Sequence, residues 1–192
     1  MLIIAITGYD RCGKDTAATH LYNVLNKKGY KVTIDSFARK LKTMTADILN
    51  IHPAILEKMK NDNIIIGLGA EYVPTRMALI KVGTALRKEL GDDIFARLLL
   101  DDLYSKNYDF AIIPDLRFKG EEKAVKDKNG YIIRLESNIS TCGKNGIKYD
   151  VPYIKHDVIV TNTTGMLGRM YEELDRVANY LVKIKKERDN EK

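Results

Sequence analysis

Two glycines separated by four residues, with lysine next, stand near the N-terminus in Gly8-Tyr9-Asp10-Arg11-Cys12-Gly13-Lys14-Asp15-Thr16. That is the spacing of a phosphate-binding loop. Glycine lets the main chain wrap closely around an oxyanion. The loop's N–H groups and the start of a following helix then point at the anion. Lys14 supplies a mobile point charge for the outer phosphates. An apolar run, Leu2-Ile3-Ile4-Ala5-Ile6, precedes the loop and a helix-like stretch follows it. The chemistry indicated is nucleoside-triphosphate binding by Arg11, Cys12, Gly13, Lys14, Asp15 and Thr16. The bland alternative is a glycine-rich turn with a surface lysine. The residue after the lysine is usually Ser or Thr, which ligates Mg²⁺. Here it is Asp15, a carboxylate able to hold Mg²⁺ directly or through water, or simply to suit the helix dipole. Oxidation of Cys12 would block the site.

Strand-like and helix-like segments alternate, which predicts an α/β fold: a three-layer α/β/α sandwich around a mostly parallel five-stranded sheet. The strands fall at roughly 2–7, 31–34, 110–113, 131–135 and 158–160. Helices are expected from the loop to about Lys28, then around 38–50, from Pro53, at 75–90, 92–105, 119–128 and 166–186. Segment 61–73 reads as either a strand or a packed loop. Segment 137–155, with Gly143, Gly146 and Pro152, reads as a lid or binding loop, or else as a disordered excursion.

Ligands of open parallel sheets lie beyond the carboxyl ends of the strands. Asp35, Ser36 and Phe37 follow the second strand. Asp115 and Arg117 follow the third, Arg134 lies near the end of the fourth, and Asn162 and Thr163 follow the fifth. Asp115 stands where a carboxylate holds Mg²⁺ through water; its alternatives are capping a loop or pairing Arg117. Arg117 suits several phosphate oxygens at once; a surface pair with Glu121 or Glu122 is the dull reading. Arg76, Ile80, Gly83 and Arg87 fall at intervals of four, three and four, on one helical face. Two arginines beside a residue as small as Gly83 suit a phosphate monoester, with Lys42 and Arg97 adding charge nearby. Their alternative is an outer, solvated face. Two anion sites imply phosphoryl transfer between phosphorylated molecules, where positioning and charge neutralisation do most of the catalysis.

Taken together, these segments resemble deoxynucleoside monophosphate kinases of the tailed-bacteriophage type, within the P-loop NMP-kinase-like superfamily. The quoted segments are Gly13-Lys14-Asp15-Thr16, Ser36-Phe37-Ala38 with Leu41-Lys42, and Pro74-Thr75-Arg76 with Gly83-Thr84 and Arg87. To these are added Ile113-Pro114-Asp115-Leu116-Arg117-Phe118 and Val160-Thr161-Asn162. The resemblance runs from residue 2 to about 175. It implies transfer from ATP to a deoxynucleoside monophosphate, giving ADP and the diphosphate, with Mg²⁺. By that analogy Lys14 and Arg117 stabilise the transferred group; Arg87 is expected to join them as a catalytic residue, and Asp15 and Asp115 to serve the metal. Asn162 lies on the adenine side. The analogy implies that Ser36, Phe37, Lys42, Arg76 and Arg87 face the acceptor, and Asp10 and Arg134 are expected beside it. Three positions differ: Arg39-Lys40 replaces a common Asp-Pro, and Asp10 stands where a basic residue is expected. The rival readings are another small-molecule P-loop kinase, of dephospho-coenzyme A or phosphomevalonate kinase type, and an ATP-driven switch on nucleic acid.

The chain has 192 residues, 45% hydrophobic and 30% charged, with a formal charge of +6. That predicts one globular kinase domain over 1–192, with an acceptor-binding helical region at about 38–105. The charge fits anionic ligands such as nucleotides. Its C-terminal concentration, Lys183-Ile184-Lys185-Lys186-Glu187-Arg188, reads as a solvated helix end rather than a stable nucleic-acid site. Cys12 and Cys142 make no disulfide framework, and His20, His52 and His156 make no metal spacing. No apolar run reaches membrane-spanning length and no signal peptide is evident, so a cytoplasmic protein is expected. A homodimer is left open.

Overall fold

The computed structural model describes residues 1–138, 150–163 and 166–190. Most of the predicted 137–155 loop, and Cys142 with it, lies outside the described residues. Five strands form the main sheet: β1 (Leu2–Thr7), β2 (Val32–Ile34), β5 (Phe110–Leu116), β6 (Tyr131–Ser137) and β7 (Val158–Asn162). Their order is β2-β5-β1-β6-β7 and every pairing is parallel. β1 is central, which is why its six residues are all buried and the first five are apolar without alternation.

Successive residues of β1 still serve opposite faces. Leu2, Ile4 and Ile6 pack with Leu21 and Leu25 of α1 (Lys14–Lys27) and with Leu174 and Leu181 of α7 (Leu167–Asn190). Ile3 and Ala5 pack with Phe37 of α2 (Phe37–Ile48), Phe95 and Leu99 of α5 (Ile94–Tyr104), and Val125 of α6 (Lys119–Asp127). The expected three-layer α/β/α sandwich is therefore present. Two further helices, α3 (Pro53–Asn61) and α4 (Thr75–Leu90), stand beside α2 around a small core of Ala46, Leu56 and Leu79.

The ambiguous 61–73 segment contributes to an antiparallel hairpin, β3 (Ile65–Leu68) and β4 (Glu71–Pro74), separate from the main sheet. Thr75 ties the start of α4 to this hairpin through its Oγ1, which donates to the Ile64 carbonyl at 2.7 Å. The C-terminal basic run is only partly solvated. Lys185 is buried, 3.5 Å from Asp109 and paired with Asp189, so it pins α7 to the rim of the sheet. Among the described residues no helix is long and apolar enough to cross a membrane.

Candidate active site

The loop between β1 and α1 is shaped by its main chain. Gly8, Arg11 and Gly13 have φ of 152°, 63° and 94°. A Cβ on Gly8 would lie 2.5 Å from the Leu135 carbonyl oxygen, and one on Gly13 would lie 2.6 Å from Asn162 Nδ2. Backbone conformation and close approach thus both demand glycine. Asn162, at the end of β7, donates from Nδ2 to the Cys12 carbonyl at 3.0 Å, so it braces the loop from behind. Lys14 is buried and folds over the loop, its Nζ donating to the carbonyls of Gly8 (3.0 Å) and Tyr9 (2.7 Å).

Cys12 lies beneath the loop, fully buried. Burial pushes its thiol pKa up, only partly opposed by the Lys14 charge. A hidden thiol with little thiolate is a poor target for oxidation, so the expected oxidative block gives way to a packing role.

The loop opens on a cavity of about 770 Å³, a size that suits a small-molecule ligand. Asp10, Arg11, Gly13, Lys14, Asp15 and Thr16 line its loop side. Ser36, Phe37, Lys42, Arg76 and Arg87 line the side made by α2 and α4, and Asp115 and Arg117 lie where β5 ends. Cys12, Asn162 and Arg134 are not on its lining. Arg134 is engaged elsewhere, with Glu136 at 3.0 Å and the Val151 carbonyl at 3.1 Å. Arg97 is exposed, held by Asp93 at 3.1 Å and by the Leu90 carbonyl, and adds no charge to the cavity lining.

Asp115 caps α2. Its Oδ1 accepts the Phe37 N–H and its Oδ2 the Ala38 N–H, each at 3.0 Å. Burial raises its pKa, against the pull of those two amides. Among the described residues no group of three or more His, Cys, Asp or Glu is arranged to hold a metal. Asp15 is exposed on the first turn of α1 and lines the cavity. A single carboxylate fits Mg²⁺, which keeps several waters and is otherwise held by substrate phosphates.

Most cations of the cavity already face acids. Arg117 is 3.1 Å from Asp10, so the acidic loop residue holds an arginine. Lys42 is 2.8 Å from Glu57, and Lys60 pairs with the same carboxylate. Burial opposes ionisation of Glu57, but the two lysines outweigh it and lower its pKa. Arg87 lies 3.3 Å from Glu121 and 4.0 Å from the centre of the Phe118 ring. Gly83 is small for a local reason. A Cβ there would be 3.0 Å from a Leu41 methyl and 3.3 Å from the Arg87 guanidinium, so protein groups occupy the space expected for a ligand. Arg39 bridges Asp35 and Asp102, each at 2.6 Å, which ties α2 to α5.

Glu57, Lys60, Phe118 and Glu121 line the cavity and were not expected to. Phe118 closes one of the segments quoted from the sequence, and Glu121 is an acid in the first turn of a helix, where it suits the dipole; Glu57 and Lys60 carried no sign.

No family model matches this chain, and no curated protein matches it. Among solved structures it is similar to shikimate kinase from Bacteroides thetaiotaomicron, at 11% identity and TM-score 0.42, over 94% of this chain and 98% of that one. It is also similar to a putative plasmid partition protein from Borrelia burgdorferi B31 bound to AMPPNP, at 19% identity and TM-score 0.42, over 92% and 81% of the two chains.

Proposed function

We propose that this chain is an ATP-dependent kinase that phosphorylates a deoxynucleoside 5′-monophosphate. One observation carries the reading: a phosphate loop and a second set of cations, Lys42, Lys60, Arg76, Arg87 and Arg117, line one continuous cavity. The loop takes the polyphosphate of ATP on its N–H groups, and Lys14 swings from the Gly8 and Tyr9 carbonyls to the outer phosphates. Arg117 approaches the transferring group as Asp10 yields it. Lys42, Arg76 and Arg87 receive the acceptor phosphate, and Ser36 and Phe37 border it. Asp15 would hold Mg²⁺, which when bound neutralises charge on the phosphate oxygens. An acceptor phosphate is already anionic, so positioning suffices and no general base is required. The region from α2 to α4 is the acceptor region of a single kinase domain.

The test is ADP formation from Mg-ATP with dGMP, dTMP, dCMP, dAMP and the matching ribonucleotides. Stimulation by one or more deoxynucleotides is expected. No stimulation by any monophosphate, with ATP still bound, would overturn the reading in favour of another acceptor.

A further inference from the structure

Arg87 is held in an unusual setting for a cation. Its guanidinium lies over the Phe118 ring at 4.0 Å and the Phe95 ring at 4.9 Å. Aromatic faces attract a guanidinium and restrict its plane. One nitrogen, Nη2, is 3.3 Å from Glu121 Oε1. Nε is buried and has no hydrogen-bond partner among the described residues. A buried donor left unmade is costly, so this side chain is short of acceptors. Arg87 lines the cavity, and a phosphate, with three strong acceptor oxygens, is the kind of ligand a guanidinium takes.

Glu121 is the group that fixes the arrangement. It is 2% exposed, so its carboxylate has almost no water to turn to. Its Oε2 accepts two main-chain N–H groups, from Arg117 at 2.9 Å and Phe118 at 3.1 Å. Those two bonds lock the carboxylate's orientation, and its other oxygen is thereby aimed at Arg87. The same residue anchors the turn that carries Arg117 and the ring of Phe118. Capping the start of α6 needs only Oε2. The second contact, to an arginine from a helix 34 positions away in the chain, lies beyond helix capping.

Resting on the kinase reading above, we propose that Glu121 is a positioning residue for the acceptor phosphate. It acts through Arg87, holding that guanidinium against Phe118 and Phe95, on the wall of the cavity, where it meets the phosphate monoester. Charge neutralisation is not its role, since an acid beside the arginine weakens the bare attraction. Its contribution is orientation, which reaction between two bound phosphates demands.

The clamp is tested by E121Q, R87A and the double variant, in steady-state kinetics with ATP and each of dGMP, dTMP, dCMP and dAMP. Gln keeps an acceptor for the two main-chain N–H groups and loses the charged contact to Arg87. E121Q is expected to raise the acceptor KM about tenfold, with the ATP KM unchanged and kcat at saturating acceptor reduced far less. On the R87A background the same change is expected to add less than about twofold, because both act through one side chain. F118L, which keeps Glu121 and removes the ring over Arg87, is expected to raise the acceptor KM in the same sense. It covers the case in which E121Q does not fold. Full multiplication of the E121Q and R87A effects, or equal losses toward ATP and acceptor, would overturn the clamp while leaving the kinase reading intact. Wild-type enzyme that no monophosphate stimulates would overturn both together.

Discussion

The two sides of the cavity are built from different materials. On the loop side the main chain makes the cradle, within nine contiguous residues, and Gly8, Gly13 and the brace from Asn162 set its shape. On the α2–α4 side the cradle is made of side chains from separate elements, most of them already paired. Lys42 and Lys60 share Glu57, and Arg87 faces Glu121. Arg117, between the two sides, faces Asp10. Under the kinase reading, an anion entering the loop would be met by main-chain N–H groups once Lys14 is released. An anion entering the other side must compete with carboxylates. Under the kinase reading, affinity for the donor is then set by backbone geometry, and affinity for the acceptor by exchange of ion-pair partners.

The most severe break of this contrast is Lys14→Ala. It leaves the main-chain cradle in place and removes the one buried cation of the loop. Turnover is expected to fall about a thousandfold or more, the scale of losing a charge that stabilises a transferring phosphoryl group. ATP affinity is expected to change much less. Equilibrium binding and single-turnover kinetics separate the two. Next comes Gly13→Ala, which puts a methyl 2.6 Å from an amide already pinned to the Cys12 carbonyl, at φ 94°. A loss of about 1–3 kcal/mol of stability is expected, with ATP binding weakened at least about tenfold. An intact ATP affinity would mean that the cradle does not depend on its backbone shape.

This division also governs what could be read from the sequence. The loop was legible because its chemistry is local: two glycines, a lysine and a strand before them. The sheet was legible because buried parallel strands are short, continuous apolar runs, as in Phe110-Ala111-Ile112-Ile113. The partners of the cations were not. Glu57 meets Lys42 across two helices, and Glu121 meets Arg87 across 34 positions; spacing along one helix carries no sign of either. Asp115 shows the limit most directly. Its place at a strand end fits a metal carboxylate, yet both oxygens take the amides that open α2. The hairpin at 65–74 was half legible: the run Ile64-Ile65-Ile66 suits a strand or a packed loop, and the second strand, Glu71–Pro74, is short and largely exposed and carries no apolar run.

The carboxylates of the second side also set a pH signature. Burial, then the nearby Asp115 charge, pushes Glu121 up to about 7 from an ordinary 4.5. Between those values the folded chain binds a proton that the unfolded chain has lost. Stability therefore falls as pH rises through that window. Glu57 has the opposite sign: its two lysines lower its pKa, so its contribution is present above 4.5 and is lost as pH falls below. Denaturant unfolding of wild type and E121Q at pH 5, 6, 7 and 8 isolates the first effect. The variant is expected to gain on wild type as pH rises, by on the order of 1–3 kcal/mol across the range. A difference that stays flat would show Glu121 ionised throughout.

The mildest test returns to glycine, on the other side of the cavity. Gly83 lies inside α4, outside the left-handed backbone region, so alanine strains nothing there. Replacing a helical glycine by alanine favours folding by roughly 1 kcal/mol. The new methyl would press a Leu41 methyl at 3.0 Å and the Arg87 guanidinium at 3.3 Å. Overpacking of that kind costs about 1–3 kcal/mol when the neighbours cannot move, but both of these are the ends of flexible side chains. Gly83→Ala is thus expected to leave stability within about 1 kcal/mol of wild type and to raise the acceptor KM a few-fold by nudging Arg87. ATP binding should not change. Thermal unfolding and acceptor titration read the two effects separately. Were Gly83→Ala to cost as much stability as Gly13→Ala, the side-chain-built half would be as rigid as the loop, and the contrast between the two sides would fail.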